Sequence, residues 1–308
     1  MTVPFVPEEV TVAGGESGVL PTAELVIVRK SVLRRLLSNK VAVVSGCVLV
    51  LIVLMAVLSP WLAPKDPNAQ ALVDRFKGPG HKGLLGTDEF GRDVLSRIMV
   101  GARVSLLAAG EATLIAVCLG IPLGMLAGFY GGWVDSVLSR IFDAIMSVPF
   151  LILALTLISV VGYGLGKAMA VVGLVQGPSF FRVARSVTQD VRRETFIESS
   201  TAIGCTTRRT LMAHVLPNSL GPLVVKTTVS FGVGVSAEAS LSFLGLGAVP
   251  PTASWGSMLR TALTNLSRAP YLAWTPGIMI TITVLCLTLF GDGLRDAVGT
   301  RRITRKGR

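Results

Sequence analysis

The stretch of this sequence that comes closest to a phosphate-binding loop is 162–167, Gly-Tyr-Gly-Leu-Gly-Lys. Such a loop holds nucleotide phosphates with its backbone amides. It needs a further glycine five positions before the last one, and Ser or Thr directly after the lysine. Val161 occupies the first of these places and Ala168 the second. We therefore expect that this chain does not hydrolyse ATP.

Metal and nucleophile chemistry also lacks a recognisable set of residues. The two histidines, His81 and His214, are far apart, and no His-Glu-x-x-His is present. No Cys-x-x-Cys is present either, and the four cysteines are widely separated: Cys47, Cys118, Cys205 and Cys286. Metal sites and disulfide frameworks need paired, suitably spaced ligands. The sequence predicts no catalytic residue, no metal and no cofactor in this chain, which is therefore not expected to be an enzyme.

Two glutamates, Glu111 and Glu238, interrupt long apolar stretches. A charge at the centre of a membrane span costs about 2.5–3.5 kcal/mol on insertion scales, so such groups usually face a cavity or one another. Each glutamate could line a transport path or hold helices together, and the sequence favours neither. Asp143 and Lys226 lie near the ends of their apolar stretches, where snorkelling to the interface accounts for them.

The composition that surrounds these residues is that of a helical membrane protein. The 308 residues are 51% hydrophobic and only 15% charged, with 33 glycines, and the mean hydropathy is +0.67. This excludes a disordered chain, a disulfide scaffold and an ordinary cytosolic enzyme. Long unbroken apolar stretches also exclude an outer-membrane barrel. The net charge of +11 is explained by basic cytoplasmic loops rather than by nucleic acid binding.

Six apolar segments predict six transmembrane helices, since a span needs about 20 residues. The fourth is the weakest, because its charge-free part is short, and it could be re-entrant or well buried. The predicted spans are 41–62, 104–129, 141–161, 162–181, 219–247 and 271–290.

Basic clusters before the first span, between the fourth and fifth, and after the sixth place both termini in the cytoplasm. The outer segment 63–101 also carries basic residues, mixed with acidic ones, which is a mild conflict. The predicted domains are a disordered cytoplasmic tail (1–28), a first helix with an extracytoplasmic loop (29–101), a five-helix transmembrane domain (102–292) and a basic cytoplasmic tail (293–308).

Glycines recur at every fourth position: Gly120, Gly124, Gly128 and Gly132. This spacing places a smooth stripe on one helix face, against which a neighbouring backbone can pack closely. Static packing is favoured over a moving contact.

The cytoplasmic loop 182–218 is patterned. Apolar residues at four-residue spacing predict a first helix, and Gly204 predicts a turn. Thr206 or Thr207 can cap a second short helix, and Pro217 is expected to end it before the fifth span. Such a helix pair could lie on the membrane or insert one face into a groove of a partner.

This loop resembles the EAA loop of ATP-binding-cassette importer permeases, which reads E-A-A, three residues, G, nine residues, I, one residue, L-P. The matching positions are Glu198-Ser199-Ser200, Gly204 and Leu216-Pro217, with serines in place of the alanines and His214 in place of the apolar residue.

Other segments resemble the peptide/nickel subfamily of these permeases. They include 85–97 (LGTDEFGRDVLSR), 238–247 (EASLSFLGLG), 254–256 (SWG) and 291–296 (GDGLRD). Together the matches run from about residue 31 to 299, in the subfamily's order. The chain is similar to the C-type permease subunit of a dipeptide or oligopeptide importer.

The resemblance implies an all-α type I importer permease fold in the cell membrane of a prokaryote, forming half of a translocation path. It implies a homologous permease as heterodimer partner, one or two cytoplasmic ATPase subunits that bind ATP and Mg, and an extracytoplasmic substrate-binding protein. Nickel, haem or glutathione could replace peptide as cargo, and an ion-driven carrier is a remoter alternative. The residues that it assigns to coupling with the ATPase are Glu198, Ser199, Ser200, Ala202, Gly204, His214, Leu216 and Pro217.

Overall fold

A computed structural model describes residues 32–299, except for the side chain of Thr201. Within this range the chain is helical and forms no strands, with one 3₁₀ turn (Leu72–Asp74) and one π-helical turn (Leu211–Val215). The α-helices are α1 Val32–Ser38, α2 Lys40–Leu62, α3 Val94–Tyr130, α4 Gly132–Met146, α5 Phe150–Val161, α6 Leu165–Arg192, α7 Thr195–Ala202, α8 Thr207–Thr210, α9 Leu216–Phe243, α10 Trp255–Thr264 and α11 Tyr271–Gly299.

Four helical stretches are long and apolar enough to cross a membrane: α2, α3, α11 and the continuous stretch Thr207–Phe243 that ends in α9. The pair α4–α5 would make a fifth span if its two helices are counted together. Helix α6 covers residues 165–181 of the fourth predicted span and is long enough to cross a membrane, but it is less apolar than these helices. Many of its residues are buried within the protein, which agrees with a well-buried helix. The count of six spans stays a prediction.

The third predicted span, 141–161, is not one straight helix. Helix α4 ends at Met146, α5 begins at Phe150, and the two are bent by 91°. Pro149 precedes α5 with an extended backbone. A residue before proline is pushed away from the helical conformation, so Val148 cannot continue α4. The predicted span is therefore divided between the end of α4 and α5, and whether the two helices cross the membrane as one span stays a prediction.

The loop predicted at 182–218 is shorter than expected. Its first part continues α6 without a break as far as Arg192. Its last part also stays helical, because α9 begins at Leu216 with Pro217 in its first turn. Pro217 therefore does not end a helix. The turn before it widens to a π-helix, in which the Leu216 amide bonds to the carbonyl of Leu211. The wider turn relieves the clash that a proline ring makes with an α-helical carbonyl four residues earlier.

Helices α3 and α6 pack closely through glycines. A Cβ atom built on Gly120 would lie 2.4 Å from the carbonyl oxygen of Gly177, and one on Gly128 would lie 2.6 Å from that of Arg185. Gly124 makes the same kind of approach to α6. The predicted stripe is thus a packing surface at these three positions. It ends there, because α3 stops at Tyr130 and a Cβ on Gly132 would meet no atom within 4 Å.

The segment between α2 and α3 is folded onto the end of the bundle. Asp88 accepts a hydrogen bond from Arg92 Nε at 2.7 Å and lies 3.5 Å from Arg97 Nε, and all three side chains are buried. The Tyr271 hydroxyl of α11 lies 3.0 Å from the carbonyl oxygens of Lys77 and Thr87. Two of the basic residues that conflicted with an outer location are therefore buried around one carboxylate inside this folded segment.

Helix α10, which was not predicted, fastens the end of α9 to α3. Trp255 is fully buried. Its indole N–H donates to the carbonyl of Ile98 and its backbone N–H to Ser105 Oγ, both at 3.1 Å.

The predicted domains are only partly covered by the structure. Segment 1–28 and the last nine residues of the basic tail lie outside the described residues. The predicted domain boundaries at 101/102 and 292/293 fall inside α3 and α11.

Candidate functional site

The candidate coupling site is a hairpin made by α7, a glycine turn and α8. It connects α6 to the helical stretch that continues into α9. Ile197 of α7 and the pair Leu211 and Val215 after α8 are buried, and they pack with Met125 of α3 and Ala184 of α6 in one apolar cluster. Burial of this side fixes the hairpin onto the ends of α3 and α6 and leaves its other side outside the bundle.

Gly204 makes the turn of the hairpin. Its φ is 81°, a left-handed conformation that glycine adopts at little cost. The turn is closed by the amide of Cys205, which donates to the carbonyl of Ser200 at 3.1 Å. Ser200 is buried, and its hydroxyl lies 3.4 Å from that of Thr210 across the hairpin. A Cβ on Gly204 would meet no atom within 4 Å, so the turn projects into open space.

The residues assigned to coupling divide into an inner and an outer set. Ser200 is buried, and His214 and Leu216 are half-buried in the π-helical turn and at the start of α9. The outer set is exposed and consists of Glu198, Ser199, Ala202, Gly204 and Pro217. Ile203 at the tip is 81% exposed. The exposed side of the hairpin therefore carries both an apolar tip and the exposed carboxylate of Glu198.

An open groove of ≈ 510 Å³ lies beside α7. It is lined by Phe129 at the end of α3, Arg192 at the end of α6, and Ile197, Glu198 and Ala202 of α7. The Arg192 guanidinium lies over the Phe129 ring at 5.8 Å. The groove thus combines apolar and aromatic lining residues with one positive and one negative group.

The two glutamates in apolar stretches have different surroundings. Glu111 is exposed on α3. Glu238 is fully buried on α9, where its Oε1 accepts a hydrogen bond from Ser242 at 2.7 Å. Ser242 Oγ in turn accepts a hydrogen bond from the amide of Ala248 at 3.0 Å, an ordinary distance for such a bond. Glu238 Oε2 has no hydrogen-bond partner among the described residues.

Sequence reasoning missed two ion pairs that join α4 to α6. Asp135 pairs with Arg185, and Asp143 with Arg182. The partners are 50 and 39 residues apart along the chain, so no local spacing indicates them. Within residues 32–299 no three His, Cys, Asp or Glu side chains come together as metal ligands would.

A bundle of helices long and apolar enough to cross a membrane, with an exposed helix–glycine–helix hairpin between two of them, is the architecture of a multi-pass membrane protein. Comparison with known proteins is in agreement. The chain belongs to the family of binding-protein-dependent transport system inner membrane components, which matches residues 120–304. Residues 29–79 match the N-terminal transmembrane domain of oligopeptide transport permease C. The predicted resemblance to C-type permeases of peptide importers is confirmed, and the chain is a multi-pass inner-membrane protein.

Curated relatives cover most of the chain. It is 37% identical over 265 residues to the dipeptide transport system permease protein DppC of Alkalihalophilus pseudofirmus, covering 86% of this chain and 87% of the relative. It is 38% identical over 266 residues to the glutathione transport system permease protein GsiD of Pectobacterium atrosepticum, covering 86% and 88%.

Solved structures of the MetNI methionine ABC transporter in inward-facing conformations share the fold. In one crystal form the match has a TM-score of 0.54 at 22% identity, and covers 67% of this chain and 97% of that chain. A second crystal form gives a TM-score of 0.54 at 20% identity. At this identity the likeness shows the fold alone, which is that of an ABC importer permease.

Proposed function

We propose that this chain is the permease subunit of an ATP-driven importer of dipeptides and oligopeptides. It forms half of the translocation path, and a homologous permease forms the other half. ATP and Mg are bound by separate ATPase subunits, and an extracytoplasmic binding protein delivers the substrate. The observation that carries the proposal is the exposed hairpin around Gly204, which extends from α6 and α9 and presents a groove to a partner.

The hairpin is the contact with the ATPase in this proposal. Glu198, Ser199, Ala202, Gly204 and Pro217 form the outer surface that the ATPase meets. Ser200, His214 and Leu216 hold that surface in place from beneath. Because α6 and α9 lead directly into the two ends of the hairpin, a displacement of the hairpin is carried into the bundle. The proposal includes the six spans, with both termini and the hairpin on the cytoplasmic side.

Glu111 and Glu238 have separate roles in the proposal. The exposed carboxylate of Glu111 on α3 suits a path-lining group. The buried carboxylate of Glu238 holds the end of α9 through Ser242 and Ala248, which suits a helix-locking group.

Reconstitution of the transporter with its partner subunits tests the division of labour. The purified chain alone should show no ATP turnover, and appreciable turnover would refute the proposal. The complete transporter should take up labelled dipeptide only with ATP. An ionophore should not abolish that uptake, because abolition would favour an ion-driven carrier.

Two substitutions test the hairpin itself. Gly204→Trp places a bulky side chain in open space at the tip, and the left-handed backbone adds a local cost of about 1–2 kcal/mol. The chain should still fold and insert, while uptake is lost. Glu198→Lys reverses a charge in the groove and should weaken assembly with the ATPase. Asp190→Lys is the matched control, since Asp190 is an exposed acidic residue on α6 that does not line the groove. Unchanged uptake by both hairpin variants would contradict the coupling role.

Glutathione is a second candidate substrate, because GsiD relatives named for glutathione transport are as similar as the dipeptide relative. Nickel and haem remain alternatives of the same architecture. Competition of labelled dipeptide uptake by unlabelled glutathione, nickel or haem in the reconstituted transporter distinguishes them.

A further inference from the structure

Helix α4 lies between two interruptions of the backbone. At its start Gly131 and Gly132 have φ values of 65° and 55°. Residues other than glycine adopt such values with difficulty, and no atom lies within 4 Å of a Cβ built on Gly132. At its other end α4 stops at the 91° bend before α5. Both ends are therefore joints, and side-chain contacts set the position of α4.

The strongest polar contact of α4 is with α6. The Arg185 guanidinium binds the Asp135 carboxylate through two nitrogens: Nη2 donates to Oδ2 at 2.6 Å, and Nε donates to Oδ1. Ser139 Oγ also donates to Oδ1 at 3.1 Å. The side chains of Asp135 and Arg185 are only 15% and 35% exposed. Two-pronged pairs of this kind fix the orientation of both partners as well as their distance.

Apolar packing supports the same arrangement. Phe142 of α4 stacks on Phe181 of α6 with ring centroids 4.3 Å apart. Ala127 of α3 completes this cluster. Since α3 and α6 are packed backbone to backbone through their glycines, they form one unit, against which α4 lies.

Helix α6 is also the element that enters the candidate coupling hairpin. It runs unbroken from Leu165 through Arg185 to Arg192, and α7 begins at Thr195. Any displacement of the hairpin that moves the end of α6 therefore also moves Arg185, two turns of helix away.

We propose that the Asp135–Arg185 pair links the coupling hairpin to the bent segment α4–α5, so that α4 follows α6 during the transport cycle. The inference rests on the proposed function. Asp135 and Arg185 are positioning residues, which act through α4 and α6 and do not touch the transported substrate. Without the pair, the joints at Gly131-Gly132 and before Pro149 allow α4 to lag behind α6.

The chain provides a matched control. Asp143 and Arg182 form a second ion pair between the same two helices, at 2.7 Å, but their side chains are 58% and 55% exposed. Solvent screens such exposed pairs, which contribute little to stability. Asp143→Asn therefore removes the same kind of charge from the same helix without removing the half-buried, two-pronged contact.

The experiment uses the complete transporter, reconstituted in vesicles with its ATPase and binding protein, and measures substrate uptake and ATP hydrolysis together. Asp135→Asn should assemble and hydrolyse ATP, but the amount of substrate taken up per ATP hydrolysed should fall roughly tenfold. A change of that size is expected when one charge-assisted hydrogen bond is lost. The double variant Asp135→Arg with Arg185→Asp should recover part of that ratio. Asp143→Asn should keep the wild-type ratio.

Three results would overturn the link. The first is an unchanged uptake per ATP in Asp135→Asn. The second is an equal fall in Asp143→Asn. The third is failure of both Asp135→Asn and the double variant to assemble, because the pair would then serve folding alone. Uptake by the wild-type transporter is measured in the same vesicles. A wild-type transporter that hydrolyses ATP without importing peptide would contradict the proposed substrate. The fall in uptake per ATP caused by Asp135→Asn is then measured with the substrate that the wild type does import.

Discussion

Substitution of Gly124 by alanine tests whether α3 and α6 are held together by backbone packing. A Cβ at this position would lie 2.4 Å from the carbonyl oxygen of Phe181, 2.8 Å from Ala184 Cβ and 3.1 Å from the amide of Arg185. Two of these atoms belong to the backbone of α6, so the helices must separate. Overpacking of this kind costs about 1–3 kcal/mol, and it exceeds the gain of roughly 1 kcal/mol that alanine brings to a helix interior.

Gly110→Ala is the control on the same helix. Its Cβ would have one neighbour, Phe231 Cε2, at the ordinary contact distance of 3.7 Å, so only the gain in helix propensity remains. We expect the free energy of unfolding to fall in Gly124→Ala and to rise slightly in Gly110→Ala, as measured by denaturant titration in the same detergent. If both variants shift stability in the same direction by the same amount, the close approach of the two helices is wrong.

Two further predictions concern buried polar groups, and both are measured by the same titration. Asp88→Ala leaves buried arginines without their carboxylate and should cost about 3–5 kcal/mol. Lys82→Ala removes the pair with Asp74, in which the lysine side chain is 57% exposed, and should cost less than about 1 kcal/mol. Comparable losses in the two variants would contradict the burial of the network. Ser242→Ala removes the hydroxyl that bonds Glu238 and should cost about 1–3 kcal/mol, while Ser240→Ala, at an exposed position of the same helix, should stay within about 0.5 kcal/mol. A stability loss in Ser240→Ala as large as in Ser242→Ala would argue against a special role for that contact.

Features with a local cause could be predicted from the sequence. The glycines at four-residue spacing on α3 lie on one face because of helix geometry, and the structure places three of them against α6. The hairpin turn falls at Gly204, as its isolation between two apolar patterns indicates. Most spans follow from apolar length alone, since the hydrocarbon thickness sets the number of residues needed.

Features that depend on distant parts of the chain could not be predicted. Asp135 and Arg185 are 50 residues apart along the chain, and nothing in the local sequence of either residue indicates that they pair. Arg92 and Arg97 belong to the outer segment whose basic residues conflicted with its predicted location, and the composition does not show that the fold buries them against Asp88. The bend before Pro149 had a local cause, the proline itself, but the prediction relied on the length of the apolar segment.

The π-helical turn before Pro217 has a consequence for how this part of the chain can vary. A π turn holds an additional residue compared with an α turn, and here it also makes room for a ring that cannot sit in a regular helix. Losing one residue from 211–215 would leave the proline clashing, and replacing the proline alone would leave a surplus residue. If one residue is deleted and Pro217 is replaced at the same time, a regular helix is restored without rotating α9. Related chains should therefore have both the additional residue and the proline, or neither.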